Sequence, residues 1–324
     1  MDLNPQTEDL HEWLPIRIFR DRDDLLVDWC HMGKTRLTHP FFEDSVNAQF
    51  RRPFSLLFRR VTPIDRLDTL TSGVYPSGFI FHMSRCGSTL VTQMLSRLPK
   101  NVVLSEAPPI DSVLRVSASE AERTRWLRSL LNTYGRKRSG EEEHLFVKFD
   151  SWSTSELGLL TRAFPDVPWI FLYRDPVEVI VSHMRQPGVQ MVPGLINGMN
   201  AGNEEDSGAV SSEEYCARVL ATVCSSALDL TDSARGLFVN YSELPDAFST
   251  IVGHFGVGFS PTEMEEMHAA VEFNAKTPQL FFEPDSERKK NEATEAIRQA
   301  ASKWVDPLYR RLENVRLRRE KVGL

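Results

Sequence analysis

Three groups of residues in this chain have the types and spacing that anion chemistry uses. The first is HMSRCGST at 82–89, which follows the apolar run GFIF and precedes LVTQML. A tight turn opening into a helix aims free backbone N–H groups and the positive end of the helix dipole at one point, which is how a chain grips a phosphate. Within it Arg85 adds a forked cation, Ser88 and Thr89 add hydroxyl donors, and Gly87 lets backbone approach an anion closely. A plain strand-to-helix turn capped by serine is the simpler reading of the same residues. The second group is YRDPVEVIVSH, where the run WIFLY ends at Arg174, Pro176 takes the first turn of a helix, and Ser182 lies eight residues past Arg174, about two turns in. Its simpler reading is a salt-bridged arginine at a strand end. In the third group, Glu106 follows the run VVLS, and LFVKFD carries Lys148 and Asp150. A charged lysine in an otherwise apolar strand is expensive to bury unless it faces a site.

Two familiar phosphate signatures do not fit. A Walker A loop requires G-x4-G-K-[ST], but His82 stands five residues before Gly87 and Ser88 directly after it. A C-x5-R phosphatase loop starting at Cys86 needs arginine at 92, where Thr92 stands. Cys86 keeps a minor claim as a nucleophile, because a helix N-terminus lowers a thiol pKa.

These groups need elements to hold them. Apolar runs that read as buried strands recur at 78–82, 102–104, 145–149, 169–173 and 237–240. Helical stripes lie between them, one through Leu90, Val91, Met94, Leu95 and Leu98, another through Val177, Ile180, Val181 and Met184. The alternation predicts an α/β fold, a mostly parallel sheet flanked by helices. Residues 1–70 scatter aromatic residues among charges without clear strand alternation and read as an N-terminal extension packing on a main domain of 71–324. Residues 188–213, rich in Gly, Asn and Ser, form a long loop that reads equally as a lid or a surface insertion. The basic stretch RRLENVRLRREK near the end reads as a solvated helix face.

The 324 residues are enough to bury a full core, and 41% hydrophobic with 26% charged residues are globular values that exclude wholesale disorder. A net charge of −7 argues against nucleic acid as a partner and confines any anion site to a local basic pocket. No window approaches the roughly 18 apolar residues of a membrane span. The acidic start is unlike a signal peptide, so the expected compartment is the cytoplasm. The four cysteines lack a zinc-type pair and are expected reduced.

The segment Arg85-Cys86-Gly87-Ser88-Thr89 resembles the 5′-phosphosulfate loop, roughly [KR]-S-G-[TS]-T, of the sulfotransferases, which use 3′-phosphoadenosine 5′-phosphosulfate (PAPS) as donor. Cys86 replaces the family's serine, leaving backbone N–H groups to do more of the holding. With arginine leading, the loop is most similar to tyrosylprotein sulfotransferases and their bacterial relatives. The resemblance implies a P-loop, sulfotransferase-like fold over about 76–310. It implies that Arg174 and Ser182 hold the 3′-phosphate of PAPS, and that Tyr241, in VNYSELP, lies near the adenine. Lys289 or Lys290, in a late basic loop, would contact the 3′-phosphate. Glu106, 21 residues beyond Arg85, matches the tyrosylprotein-type catalytic base. Lys148 matches the lysine that stabilises the leaving group. Small-molecule sulfotransferases place a histidine base where Asp150 stands, so Glu106 and Asp150 compete for that role, with Glu106 preferred. His82 and His183 match no family role.

The implied activity is sulfuryl transfer from PAPS to an acceptor hydroxyl, leaving adenosine 3′,5′-bisphosphate and needing no metal. Like phosphoryl transfer, this is an in-line attack through a loose transition state that depends on positioning and charge stabilisation. The acceptor's class and the oligomeric state are not specified by the sequence. Two alternatives stay open: a P-loop kinase-like phosphotransferase using ATP and Mg²⁺, and a non-catalytic nucleotide-binding scaffold.

Overall fold

The first 70 residues hold more regular structure than their pattern predicts. In the computed structural model, which describes residues 9–70, 72–196, 210–231, 235–281 and 285–322, they contain three strands: β1 (Trp13–Asp21), β2 (Asp24–His31) and β3 (Arg60–Pro63). These form an antiparallel sheet in the order β1-β2-β3. The alternation is hidden because the β1–β2 register shifts between Pro15 and Arg17, which changes the face on which side chains emerge. Trp13, Leu14, Ile18, Val27 and Trp29 are nonetheless buried. The sheet is tied to the rest of the chain by two buried arginines. Arg136 donates to the carbonyls of Leu10 and Trp13, and Arg138 to those of Gly33 and Thr35.

The five apolar runs become β4 (Pro76–His82), β5 (Asn101–Ser105), β6 (His144–Lys148), β7 (Trp169–Tyr173) and β8 (Gly236–Asn240). Their order is β5-β6-β4-β7-β8, with every pairing parallel. A strand covered on both faces has no solvent side to alternate with, and β5 and β7 are buried at every residue. From central β4 the chain steps out to β5, returns through β6 and crosses to β7. The direction of winding therefore reverses beside β4, and in such sheets ligands bind outside the carboxyl ends of the strands at this reversal. A small antiparallel hairpin, β9 (Phe273–Asn274) and β10 (Thr277–Phe281), follows later. Cys30, Cys86, Cys216 and Cys224 are buried free thiols.

Of the 188–213 loop, 197–209 lies outside the described residues. The part next to the sheet is anchored: buried Gln190 donates to the hydroxyls of Ser84 and Ser151, 3.2 Å from each.

Candidate functional site

Each strand of the parallel sheet delivers at least one polar group to a cleft of about 650 Å³ at its carboxyl edge. The 82–89 loop follows β4, Glu106 follows β5, Lys148 and Asp150 end and follow β6, Arg174 follows β7 and Tyr241 follows β8. Ser182 and Lys289 line the same cleft. The sequence candidates thus meet in one place, except Lys290. Its ammonium lies outside the lining, 3.4 Å from Glu178 and 3.9 Å from Asp175.

The 82–89 loop is held in an unusual backbone shape. Ser84, Arg85 and Gly87 have φ of 81°, 52° and 84°, left-handed values that cost a side-chain-bearing residue about a kilocalorie or more. Left-handed residues of this kind occur in anion-binding nests, and the loop leads directly into helix Ser88–Leu95, whose first two residues line the cleft. A Cβ on Gly87 would lie 2.8 Å from the Tyr241 ring and 2.9 Å from Leu244, so only glycine fits there. The Cys86 thiol does not join this cradle. It donates to the Leu172 carbonyl at 3.1 Å, and burial pushes its pKa up to about 12. The lowered pKa expected at a helix N-terminus is overridden by desolvation, and a nucleophilic role for Cys86 has no support.

The third group of residues forms a charged cluster beneath this loop. The Lys148 side chain is buried, with Nζ 2.8 Å from Glu106 Oε1, 3.4 Å from Thr89 Oγ1 and 5.0 Å from the centre of the Phe41 ring. Glu106 itself has φ 52°, and its N–H donates to the Lys148 carbonyl at 2.8 Å. The strained residue is thereby fixed at the end of β6. His82 Nδ1 accepts the Ser84 N–H at 3.1 Å, which puts the ring proton on Nε2, 3.3 Å from Glu106 Oε1 although not aligned for a good hydrogen bond. Burial opposes ionisation of Glu106, but the Lys148 ammonium and the His82 ring outweigh it and hold the carboxyl well below the usual range. Asp150 goes the other way: burial first, then the negative charges of Glu106 and Asp111, push it well above the usual range. The two neighbouring carboxyls are shifted in opposite directions, Glu106 toward the ionised form and Asp150 toward the protonated form.

The second cradle is built from charges that already satisfy one another. Arg174 donates from Nε to Glu178 at 2.6 Å, and from its second terminal nitrogen to Asp285 at 2.7 Å and Ser286 at 3.0 Å. Lys289 Nζ lies 2.8 Å from the other oxygen of Asp285. The Arg174 guanidinium also stacks 4.0 Å from the centre of the Tyr241 ring. Because that ring touches the Gly87 backbone as well, Tyr241 is wedged between the two cradles.

The sequence reading missed several lining residues. His82 carries a signal only in hindsight, as the last residue of the strand that enters the loop. Lys276 sits at the tip of the β9–β10 hairpin, where Asn274 Oδ1 accepts the N–H of Lys276 at 3.0 Å and of Thr277 at 3.1 Å. Burial, then the nearby Arg85 and Lys148 cations, lower the Lys276 pKa to about 8, although the residue as a whole is still accessible to solvent. His183, which matches no family role, lies outside the cleft lining, buried with Nδ1 accepting the Gly188 N–H at 3.3 Å, and burial lowers its pKa to about 3. It is neutral and structural.

No known protein family matches the sequence by its family profile, and no curated protein matches it either. Among solved structures, the chain is similar to the sulfotransferase domain from the curacin biosynthetic pathway, at 18% identity over 71% of this chain and 98% of that one, with a TM-score of 0.44. It is similar to sulfotransferase STF9 from Mycobacterium avium, at 14% identity over 81% of each chain and a TM-score of 0.45. A third is mouse sulfotransferase SULT7A1 complexed with PAP, at 12% identity over 78% of this chain and 92% of that one, with a TM-score of 0.44. All three are sulfotransferases, the family that the donor motifs resemble. At these identities the chemistry has to be read from this chain's own cleft.

Proposed function

We propose that this protein is a sulfotransferase that moves a sulfuryl group from PAPS to an acceptor hydroxyl. The observation that carries the reading is that two anion cradles, on the carboxyl ends of the adjacent strands β4 and β7, open into one cleft, with a buried lysine and an ionised glutamate on the far side of the β4 cradle. The donor is an adenosine carrying anionic groups at both its 5′ and 3′ positions. The N–H nest, Arg85, Ser88 and Thr89 would hold the 5′-phosphosulfate. Arg174, Ser182 and Lys289 would hold the 3′-phosphate.

Lys148 supplies positive charge where the leaving phosphate gathers negative charge, and it does so from a desolvated position where that charge acts strongly. Glu106 is the base. Its Oε1 is engaged by Lys148 and His82, and its Oε2 makes none of these contacts and is the atom proposed to take the acceptor's proton. A carboxylate held this low is a weak base, but in a loose transition state the hydroxyl becomes acidic only as the new bond forms, so a strong base is not required. Asp150, whose burial and acidic neighbours favour the protonated form, is proposed to donate to the acceptor. His82 keeps the Glu106 carboxylate oriented.

The test compares ligands and variants. Adenosine 3′,5′-bisphosphate should raise the melting temperature without metal, and ATP with Mg²⁺ should do so far less. Glu106→Gln should bind the bisphosphate as tightly as the parent and lose sulfuryl transfer to a hydroxyl library by roughly a hundredfold or more, the scale of a lost general base. A Glu106→Gln enzyme with full turnover, beside an inactive Asp150→Asn, would reassign the base. Preference for ATP with Mg²⁺ would replace the whole reading with a kinase.

A further inference from the structure

The segment 50–61, FRRPFSLLFRRV, concentrates four arginines and no acidic residue in a chain whose net charge is −7. Its centre is the short helix Pro53–Leu57, which is inside out. The small polar residue Ser55 is turned inward, buried, and donates to the His31 carbonyl at 3.0 Å. The large apolar residues are turned outward: Phe54, Leu56, Leu57 and Phe58 are 50%, 56%, 73% and 57% exposed, with Val61 at 53% beside them. A helix on a water-facing surface puts its apolar side down, because each exposed Leu or Phe forgoes the gain of burial. Single exposed apolar residues are ordinary, but a contiguous cluster of five marks a surface built to be covered.

Its rings pack on one another and on the sheet. The rings of Phe54 and Phe58 lie 4.8 Å apart, Phe54 packs on His31 at 5.0 Å and on Trp13 at 6.4 Å, and Trp13 carries the Arg60 guanidinium at 4.4 Å. Arg51 and Arg52, just before the helix, are exposed and make no ion pair among the described residues. Arg59, just after it, pairs with Asp28.

We infer that this face docks on an anionic lipid surface, with Phe54, Leu56, Leu57 and Phe58 entering the headgroup boundary and the flanking arginines meeting lipid phosphates and carboxylates. Apolar side chains framed by arginines are the pattern of interfacial binding, in which hydrocarbon burial and attraction to acidic headgroups act together. The charge pattern decides between occupants. A second copy placed face to face by two-fold symmetry would set arginines against arginines over the same apolar patch, which is repulsive, whereas an acidic bilayer complements both parts at once. Among the described residues no helix is long and apolar enough to cross a membrane, so this contact is peripheral. It also bears on access to the cleft. Phe41, which lines the cleft, immediately precedes the nine-residue helix Phe42–Phe50, which ends directly before Arg51, so about 14 Å of helix separates the docking face from the cleft wall.

The experiment is flotation of the full chain with vesicles of phosphatidylcholine alone and of phosphatidylcholine mixed with phosphatidylserine, beside analytical ultracentrifugation without lipid. The protein should float with the acidic vesicles, release as salt is raised, and float poorly with the neutral ones. The double variant Leu57→Glu/Phe58→Glu should weaken binding by roughly thirtyfold or more, since two interfacial side chains are lost and two like charges gained. Arg51→Glu/Arg52→Glu should weaken it by about tenfold or more at low salt. All four positions are exposed, so the circular dichroism spectrum and melting temperature should not change, and flotation can be read without a folding defect. Absence from both vesicle types, equal binding to both, or binding indifferent to the variants would each overturn the inference. So would a dimer in lipid-free solution that Leu57→Glu/Phe58→Glu converts to monomer, which would assign the face to self-association.

Discussion

The two cradles of the cleft hold their shape by different means. Around 82–89 the backbone sets the shape: three residues have positive φ, one of them the sterically required Gly87. Around Arg174 side chains do it, with Asp285 and Glu178 pairing the cations of Arg174 and Lys289. The loop holds no carboxylate partner of its own, although the Ser84 N–H goes to His82 and Arg85 Nη2 donates to the Gln186 carbonyl at 2.8 Å. At the second cradle Asp285 pairs the same Arg174 and Lys289 nitrogens that the proposed 3′-phosphate would use. The first is shaped by its backbone and the second is exchangeable, so the second should respond to mutation in either direction, weaker or tighter.

The sharpest break in that comparison is Arg174→Ala. Removing a doubly paired guanidinium should weaken adenosine bisphosphate binding by roughly ten- to a hundredfold, the range for a lost charge-assisted hydrogen bond, as measured by calorimetry. It should also lower thermal stability, because Glu178 and Asp285 lose a buried partner. Unchanged affinity would mean that this cradle holds no phosphate. A smaller effect of opposite sign is expected from Asp285→Asn. Removing the competing charge frees Arg174 and Lys289, and the bisphosphate should bind several-fold tighter, with about 1 kcal/mol as the scale for a partly exposed pair. Weaker binding would show Asp285 to be a positioning group.

The smallest effect distinguishes the first cradle. Lys276 has a pKa lowered to about 8, so below that pH it is protonated against the repulsion of Arg85 and Lys148. A bound anion favours the protonated form. Affinity for the bisphosphate should therefore be highest below pH 8 and fall a few-fold as pH rises through it. Lys276→Arg should flatten that slope over the same range. A parent protein with no slope between pH 7 and 9 would remove Lys276 from the site.

Much of this site was legible in the sequence because the fold places chemistry at strand ends, and strand ends can be read. Arg174 and Lys148 each close an apolar run, and the 82–89 loop stands between a strand and a helical stripe. The sheet was legible for a related reason: runs such as WIFLY, apolar at every position, fit only a strand buried on both faces. What could not be read depends on distant partners. Nothing in the local sequence brings Lys276 from a hairpin tip to the cleft, or puts Asp285 against an arginine 111 residues earlier. Lys290 and Lys289 are indistinguishable as neighbours in a basic run, yet one lines the cleft and the other faces Glu178. The N-terminal sheet was concealed because a register shift at Pro15 breaks the alternation by which half-buried strands are recognised.

The wedged position of Tyr241 has a consequence for selectivity. One face of its ring lies against the Arg174 guanidinium while its edge meets Gly87, so filling either cradle restricts the ring for the other. A nucleotide that engages both ends gains as a chelate does, because the second contact forms without a second loss of translational freedom. Adenosine 5′-monophosphate engages one end only and should forfeit far more than half of the binding free energy, which would keep the cleft clear of the commonest adenine nucleotides.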